Sequence, residues 1–249
     1  MKTLIKKWLE PALKNGVLDV PTALRKGRII SRSIAGVTVQ WLITNSNDEI
    51  QSHQITHGFY ELNELENLLG DIGPRTSILD VGANIGNHAV FFVKKMGCRN
   101  LIAAEPYPPA FRHLLVNLAL NSCPKLNIRT ISAALGAHEG HGNIVAPTTF
   151  NIGLTKVDMS AHGEVEIYRG DDLVGGEPVD LVKIDVEGME VEVLAGLQTV
   201  LRKHRPAAYV EVGERTKSAV IDFAASLGYR VARDTSAYRV QSNLTLLPN

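Results

Sequence analysis

The chain has 249 residues, enough for one large domain with a substantial core and an additional segment. Its 26 basic and 26 acidic residues cancel, which removes the charge footprint of a nucleic-acid binder. A hydrophobic content of 45% with 21% charged residues fits a globular protein, and no run reaches the roughly 18 apolar residues of a membrane span.

The opening Met1-Lys-Thr-Leu-Ile-Lys-Lys-Trp-Leu-Glu-Pro lacks a signal-peptide core. It sets Leu4, Ile5, Trp8 and Leu9 against Lys2, Lys6 and Lys7, an amphipathic helix within residues 1–14 whose apolar stripe packs on the protein's own body or on a membrane surface. Val37-Thr-Val-Gln-Trp-Leu-Ile alternates as a strand, and Asn45-Ser-Asn-Asp48 is a turn cluster. Leu62, Leu65, Leu68 and Leu69 then recur at helical spacing, and Gly70-Asp-Ile-Gly-Pro74 ends that helix. Residues 1–75 thus read as an N-terminal extension of a helix, short strands and a lid-like helix, and residues 76–249 as the main domain.

The most informative stretch follows: Ser77-Ile-Leu-Asp80-Val-Gly82-Ala-Asn84-Ile-Gly86, a helix, then Leu101-Ile-Ala-Ala-Glu105-Pro106. A strand, a glycine turn, a helix and a second strand ending in an acid form the nucleoside site of an α/β fold, with Glu105 placed to accept a ribose diol. A dinucleotide site needs a bare middle glycine for the pyrophosphate, and Asn84 stands there instead. Asp80, directly before the turn, suits a ligand with an ammonium or sulfonium. Together these favour S-adenosylmethionine over NAD.

Beyond this point strands are expected near 77–81, 101–105, 127–133, 180–185 and 207–212. Helices are expected near 86–96, 109–121 and 188–203. A helix over 216–228 and two strands, 229–233 and 238–247, close the chain. This alternation predicts an α/β, doubly wound, Rossmann-like sheet with an antiparallel edge hairpin. Residues 138–172, rich in Gly, His, Asn and Thr, break the rhythm and predict loops and a hairpin beside the ligand crevice. A second segment, Lys183-Ile-Asp185-Val-Glu187-Gly188-Met-Glu190, ends a strand at an acid, so Asp185 and Glu187 should face the same crevice as Asp80 and Glu105.

Asp80 to Gly86, Glu105-Pro-Tyr-Pro108, the Asn117/Asn121 helix end and Lys183 to Glu190 together resemble the FkbM family over residues 55–212. The resemblance implies a class I, S-adenosylmethionine-dependent methyltransferase that O-methylates a hydroxyl of a sugar, glycolipid or secondary metabolite. It implies Gly82, Asn84 and Gly86 on the methionine side of the cofactor, Glu105 and Pro106 at the ribose and adenine, and Ser132 and Ala133 against adenine through backbone groups. Tyr60 and Glu61 resemble a family element that closes over the cofactor, though Leu62 and Leu65 beside them equally suit plain helix packing.

Transfer to a hydroxyl calls for a base. Asp185 or Glu187 is the leading candidate, the other binding the acceptor or the methionine ammonium. Lys183, two positions before Asp185, is a weaker one, with a charge snorkelling at the sheet edge as its alternative. His57 and His88 are further candidates. Tyr60, Phe150 and Tyr168 are candidates to stack on a sugar ring. No metal is called for: His138-Glu-Gly-His141 lacks zinc spacing, while Asp185, Glu187 and Glu190 could in principle hold Mg²⁺ or Ca²⁺. The two cysteines, Cys98 and Cys123, lack CxxC spacing, so a reducing, cytoplasmic setting is expected. The expected partner is a small-molecule or glycan acceptor, not nucleic acid. A non-catalytic module of this fold, or a nicotinamide oxidoreductase, is the competing reading.

Overall fold

The computed structural model describes residues 27–34, 36–145, 156–235 and 241–249. The proposed helix within residues 1–14 and the aromatic candidate Phe150 lie outside them.

Three short apolar runs set the centre of the molecule. Ser77–Val81 (β3), Asn100–Ala104 (β4) and Leu181–Ile184 (β10) are almost wholly buried, as expected of parallel strands covered on both faces. With Asn127–Ile131 (β5), Ala207–Gly213 (β11), Tyr229–Asp234 (β12) and Gln241–Pro248 (β13) they form a seven-stranded sheet ordered β12-β13-β11-β10-β3-β4-β5. Six strands run in one direction, five of them paired in parallel, and β13 runs antiparallel to its neighbours β11 and β12. The strand order reverses at the β3/β10 pair, so Gly82 and Asp185 sit at the switch point where open α/β sheets bind ligands.

Alternation along each strand sorts the core into two clusters. Ile78, Leu101, Ala103 and Leu181 face one side; Leu79, Val81, Ile102, Val182 and Ile184 face the other. Asp80 and Lys183 share the first side and are paired in register. The helices covering the sheet are Asn87–Lys94 (α3), Pro108–Asn121 (α4), Glu190–Gly196 (α6), Gln198–His204 (α7) and Glu214–Ser226 (α8).

The expected single helix over 188–203 is two helices that meet at Leu197. Asp171, on the short helix Gly170–Val174 (α5), accepts from Thr199 N at 3.1 Å and Val200 N at 3.0 Å, capping α7 from outside. The expected strand over 127–133 likewise stops at Ile131. Ala134–Gly136 (β6) joins a second sheet with Gly140–Val145 (β7), Lys156–Met159 (β8) and Val165–Arg169 (β9), ordered β6-β9-β7-β8. Within the stretch read as loops and a hairpin, β7 and β8 do pair antiparallel, and β6 and β9 extend that pair to four strands.

Before the main sheet, Arg28–Ile34 (β1) and Val37–Ile43 (β2) pair as a hairpin, followed by Glu49–Thr56 (α1) and Leu62–Ile72 (α2). The sequence pattern pointed to β2 and α2 but not to β1 or α1. α2 continues through Gly70 to Ile72 and ends on Gly73 at φ 69°. The outer edge of β2 meets a helix instead of a strand. His113, Asn117 and Asn121, four residues apart on α4, form one row along it. Asn117 Oδ1 accepts from Leu42 N at 2.9 Å, Asn121 Oδ1 from Gln40 N at 3.0 Å, and Asn121 Nδ2 donates to Gln40 O at 2.7 Å. His113 Nε2 lies 2.6 Å from Leu42 O. Amide side chains thus satisfy a strand edge that would otherwise bury open backbone groups. Trp41, Leu42, Phe59, Leu65 and Leu68 share one apolar cluster with Phe91, Leu101 and Leu114.

Candidate active site

The carboxyl ends of β3, β4, β10 and β11 open into two connected spaces. A narrow slot of about 40 Å³ is lined by Gly82, Asn84, Glu105, Pro106, Ala133, Ala134, Leu135, Val157, Val186 and Met189. A cavity of about 740 Å³ adjoins it, sharing Gly82, Asn84 and Asp185 and reaching Tyr60, Glu61, His88, Lys183, Glu187 and Glu211. This is the size of a small-molecule site.

Glu105 follows β4 directly and is buried. Its Oε2 accepts from Asn84 N and its Oε1 from Tyr107 N, both at 2.8 Å. Burial raises its pKa to about 7 against the lowering effect of these two bonds. Asn84, at φ 49°, turns the loop so that its amide points at Glu105. Gly82, at φ 73°, is required for a different reason: a Cβ there would lie 1.8 Å from Asp185 O, because the ends of β3 and β10 touch.

Lys183 organises the floor. It is 2% exposed, 3.2 Å from Asp80 Oδ1 and 3.3 Å from Asp185 Oδ2, and it donates to Gly82 O at 2.6 Å. Burial works against its charge, but Asp80 and then Asp185 outweigh it and hold its pKa above the ordinary lysine value. The side chain is neither snorkelling nor at a sheet edge. Asp80 is fully buried and does not line the cavity; it faces Lys183 where the sequence suggested a ligand cation.

Asp185 retains about a quarter of its side-chain exposure. Glu187, in the left-handed region at φ 55°, accepts from Gln241 Nε2 at 3.1 and 3.2 Å. Burial, then the charge of Asp185, raises its pKa. Glu211 stands beside Asp185, since Ile184 pairs with Val210. Asp185, then burial, then Glu61 and Glu187 push its pKa up to about 9. Three of the four left-handed non-glycine residues described, Glu61, Asn84 and Glu187, line this cavity, the pattern of backbone strain gathered at a working site.

The far wall comes from the segment before the sheet. Trp41 Nε1 donates to Gly58 O at 2.7 Å, and Asn87 exchanges two bonds with the Tyr60 backbone, at 3.0 and 2.9 Å. These fix Tyr60 and Glu61 on the cavity, where Glu61 Oε2 lies 3.4 Å from His88 Nε2. His53 and His57 line the same wall.

Several sequence expectations shift. Gly86 caps α3 and lines neither space; a Cβ there would meet Leu114 Cδ1 at 2.8 Å, so it serves helix packing. Ser132 is exposed and off the slot, whereas Ala133 lines it. Tyr168 lies on β9, donates to Glu166 and lines neither space. Glu211 and Gln241 were missed. Glu211 carried a signal, an acid near the end of a parallel strand; Gln241 carried none. Among the described residues, no group of three or more His, Cys, Asp or Glu side chains is arranged to hold a metal ion, and no helix is long and apolar enough to cross a membrane.

A family model described as the methyltransferase FkbM domain matches residues 80–231. The chain belongs to the FkbM methyltransferase family. Hexuronic acid methyltransferase AglP of Haloferax volcanii is 30% identical over 212 residues, covering 80% of this chain and 80% of that protein. Methyltransferase sdnD of Sordaria araneosa is 28% identical over 156 residues, covering 48% of this chain and 60% of that one. A precorrin-6y C5,15-methyltransferase structure from Geobacter metallireducens GS-15 shares the fold with a TM-score of 0.50 at 12% identity, over 77% of this chain and 94% of that one. This FkbM chain is a methyltransferase with a class I sheet.

Proposed function

We propose that this methyltransferase uses S-adenosylmethionine to methylate a hydroxyl of a small-molecule or glycan acceptor. The observation that carries the reading is Glu105, buried beside the Gly82–Asn84 turn with one backbone N–H on each oxygen. A carboxylate has about four acceptor sites, so two remain for a ribose diol. Pro106, Ala133, Leu135, Val186 and Met189 give the slot the apolar walls an adenine needs. Asn84 at the middle position weighs against a dinucleotide. The name of the Haloferax volcanii relative, a hexuronic acid methyltransferase, supports a sugar-class acceptor.

S-adenosylmethionine supplies an electrophilic methyl on a sulfonium. The chain contributes alignment, exclusion of water and a destination for the acceptor's proton. Glu187 is the better base, because burial and Asp185 raise its proton affinity while Gln241 orients it. Asp185, ion-paired to Lys183, is suited to hold the donor's ammonium or an acceptor hydroxyl. Lys183 stays protonated and positions Asp185, which argues against its use as a base. Glu211 retains its proton near neutrality and offers a donor to the acceptor. The residues of 49–64 that line the cavity face the acceptor, and the Gly82–Asn84 turn with Glu105 holds the donor.

Glu187→Gln and Asp185→Asn test these roles, with calorimetric donor binding and methyl transfer measured on each. The Gln variant should bind donor within about threefold of the parent while turnover falls by about 10²–10⁴-fold. Unchanged turnover would remove Glu187 as the base.

A further inference from the structure

We propose that the acceptor is an extended polyhydroxylated chain, an oligosaccharide in class, that runs past Glu187 into a second space beyond it. The inference rests on the methyl-transfer reading of the site. A space of about 550 Å³ adjoins the larger cavity and shares Asp185, Glu187, Glu211 and Gln241 with it. The candidate base therefore stands on the partition between two spaces, each within the size range of a small-molecule site. A molecule with its reacting hydroxyl at Glu187 can continue on either side of that residue.

The lining of the second space selects what enters. Of its eleven residues five are acids, two are the cations Lys156 and Arg215, two are Gly188 and Gly213, and Thr216 and Gln241 complete it. None is aliphatic or aromatic, whereas Ile50, Phe59 and Leu62 line the larger cavity and Val157 and Met189 the slot. A fatty or aromatic tail would find no apolar side chain there to pack on. Hydroxyls find donors and acceptors side by side, because Lys156 and Arg215 donate, ionised carboxylates accept, and Thr216 and Gln241 do both. The methylene stems of the long side chains suit the C–H faces of a sugar.

Two further observations point to a ligand. Glu190 is 2% exposed, and its Oε1 accepts from Gly188 N at 2.6 Å, but its Oε2 has no hydrogen-bond partner among the described residues. A buried acceptor left open is costly, and a sugar hydroxyl would close it. At Gly188 and at Gly213 an added Cβ would meet nothing within 4 Å, so bare backbone faces open space at both positions. Gly188, at φ 113°, sits where a side chain is strained. Gly213, at φ −83°, is under no such demand, and its lack of a side chain keeps the space open.

The test offers methyl glucoside, methyl cellobioside, methyl cellotrioside and octyl glucoside with S-adenosylmethionine, reading S-adenosylhomocysteine formed. Extension by sugar units should raise kcat/KM by about tenfold or more, as one hydrogen bond to a charged group would; extension by the octyl chain should not. Gly213→Leu, which fills the second space, should cancel that gain. Arg215→Ala, at an exposed position where truncation leaves folding intact, should reduce it. No gain from the added sugars, an equal gain from the octyl chain, or a gain that survives both variants would overturn the proposal. If none of the four is methylated, methyl-labelled donor is incubated with an extract of polar metabolites and glycans, and the labelled product is sized by gel filtration. A product of two or more sugar units whose yield falls in the variants supports the proposal. A product of monosaccharide size, one that partitions into organic solvent, or one indifferent to both variants overturns it. Absence of labelled product while donor still binds would instead overturn the methyl-transfer reading, and the inference with it.

Discussion

Replacing Lys183 with Met tests the electrostatic floor of the site most sharply. The substitution nearly preserves volume but leaves Asp80, which is fully buried, facing an apolar side chain in place of an ammonium 3.2 Å away. Removing one partner of a buried ion pair costs about 3–5 kcal/mol, since the remaining charge is uncompensated. At about 2–4 °C per kcal/mol for a chain of this size, the midpoint should fall by roughly 6–20 °C. The Gly82 carbonyl also loses its 2.6 Å donor, so donor affinity should weaken even where the protein remains folded. Thermal and urea unfolding of Lys183→Met, Asp80→Asn and the double variant would measure this. The double variant should recover most of the loss, because the fully buried position 80 no longer carries an unpaired charge, while Asp185, a quarter exposed, loses its partner at smaller cost. A single Lys183→Met variant melting within 2 °C of the parent would refute the reasoning.

Glu105→Ala should raise the dissociation constant for S-adenosylmethionine by about 10–100-fold, since a charge-assisted hydrogen bond is worth about 1.5–3 kcal/mol; titration calorimetry reads it. Glu105 and Glu211 have native pKa values raised to about 7 and about 9. The folded state therefore binds more protons than the unfolded chain between about pH 4.5 and 9, and their contribution to stability, complete below that window, is lost as pH rises through it. Urea unfolding from pH 5 to 9 should show the decline, and Glu211→Gln should flatten its alkaline part. Asn117→Ala removes the acceptor for Leu42 N and the donor to Ile85 O, the latter at 2.8 Å. At about 1–3 kcal/mol per orphaned buried group it should cost roughly 2–6 kcal/mol by urea unfolding.

What could be read from the sequence was local. Ser77 to Gly86 and Leu101 to Pro106 announce a strand, a turn and a terminal acid within a few residues, and Lys183 to Glu190 repeats the pattern. Asp185 lines the same slot as Glu105, and Glu187 lines the cavity that adjoins it. Asp80 was misassigned because its partner, Lys183, is a hundred residues away; only the β3–β10 register brings the two together. α1, Glu-Ile-Gln-Ser-His-Gln-Ile-Thr, carries no apolar stripe and depends on Asp48 Oδ1 accepting from Gln51 N at 3.0 Å. The row His113, Asn117, Asn121 has helical spacing, but its purpose as an edge for β2 exists only in three dimensions. β7, Gly-His-Gly-Asn-Ile-Val, lacks clean alternation, so a hairpin was expected in its region but not the four-stranded sheet. Glu211 was legible by the same strand-end rule that found Asp185, and its proximity to Asp185 follows from strand order, which sequence does not state.

The central claim is that Glu105 and the Gly82–Asn84 turn bind the nucleoside of a methyl donor. Calorimetric titration of the protein with S-adenosylmethionine and S-adenosylhomocysteine, with NAD as the comparison and Glu105→Ala as the control, tests it directly. The account predicts saturable binding of the two methyl-cycle ligands, weakened in the variant, and none of NAD. Binding of NAD alone, or donor binding indifferent to Glu105→Ala, would contradict it.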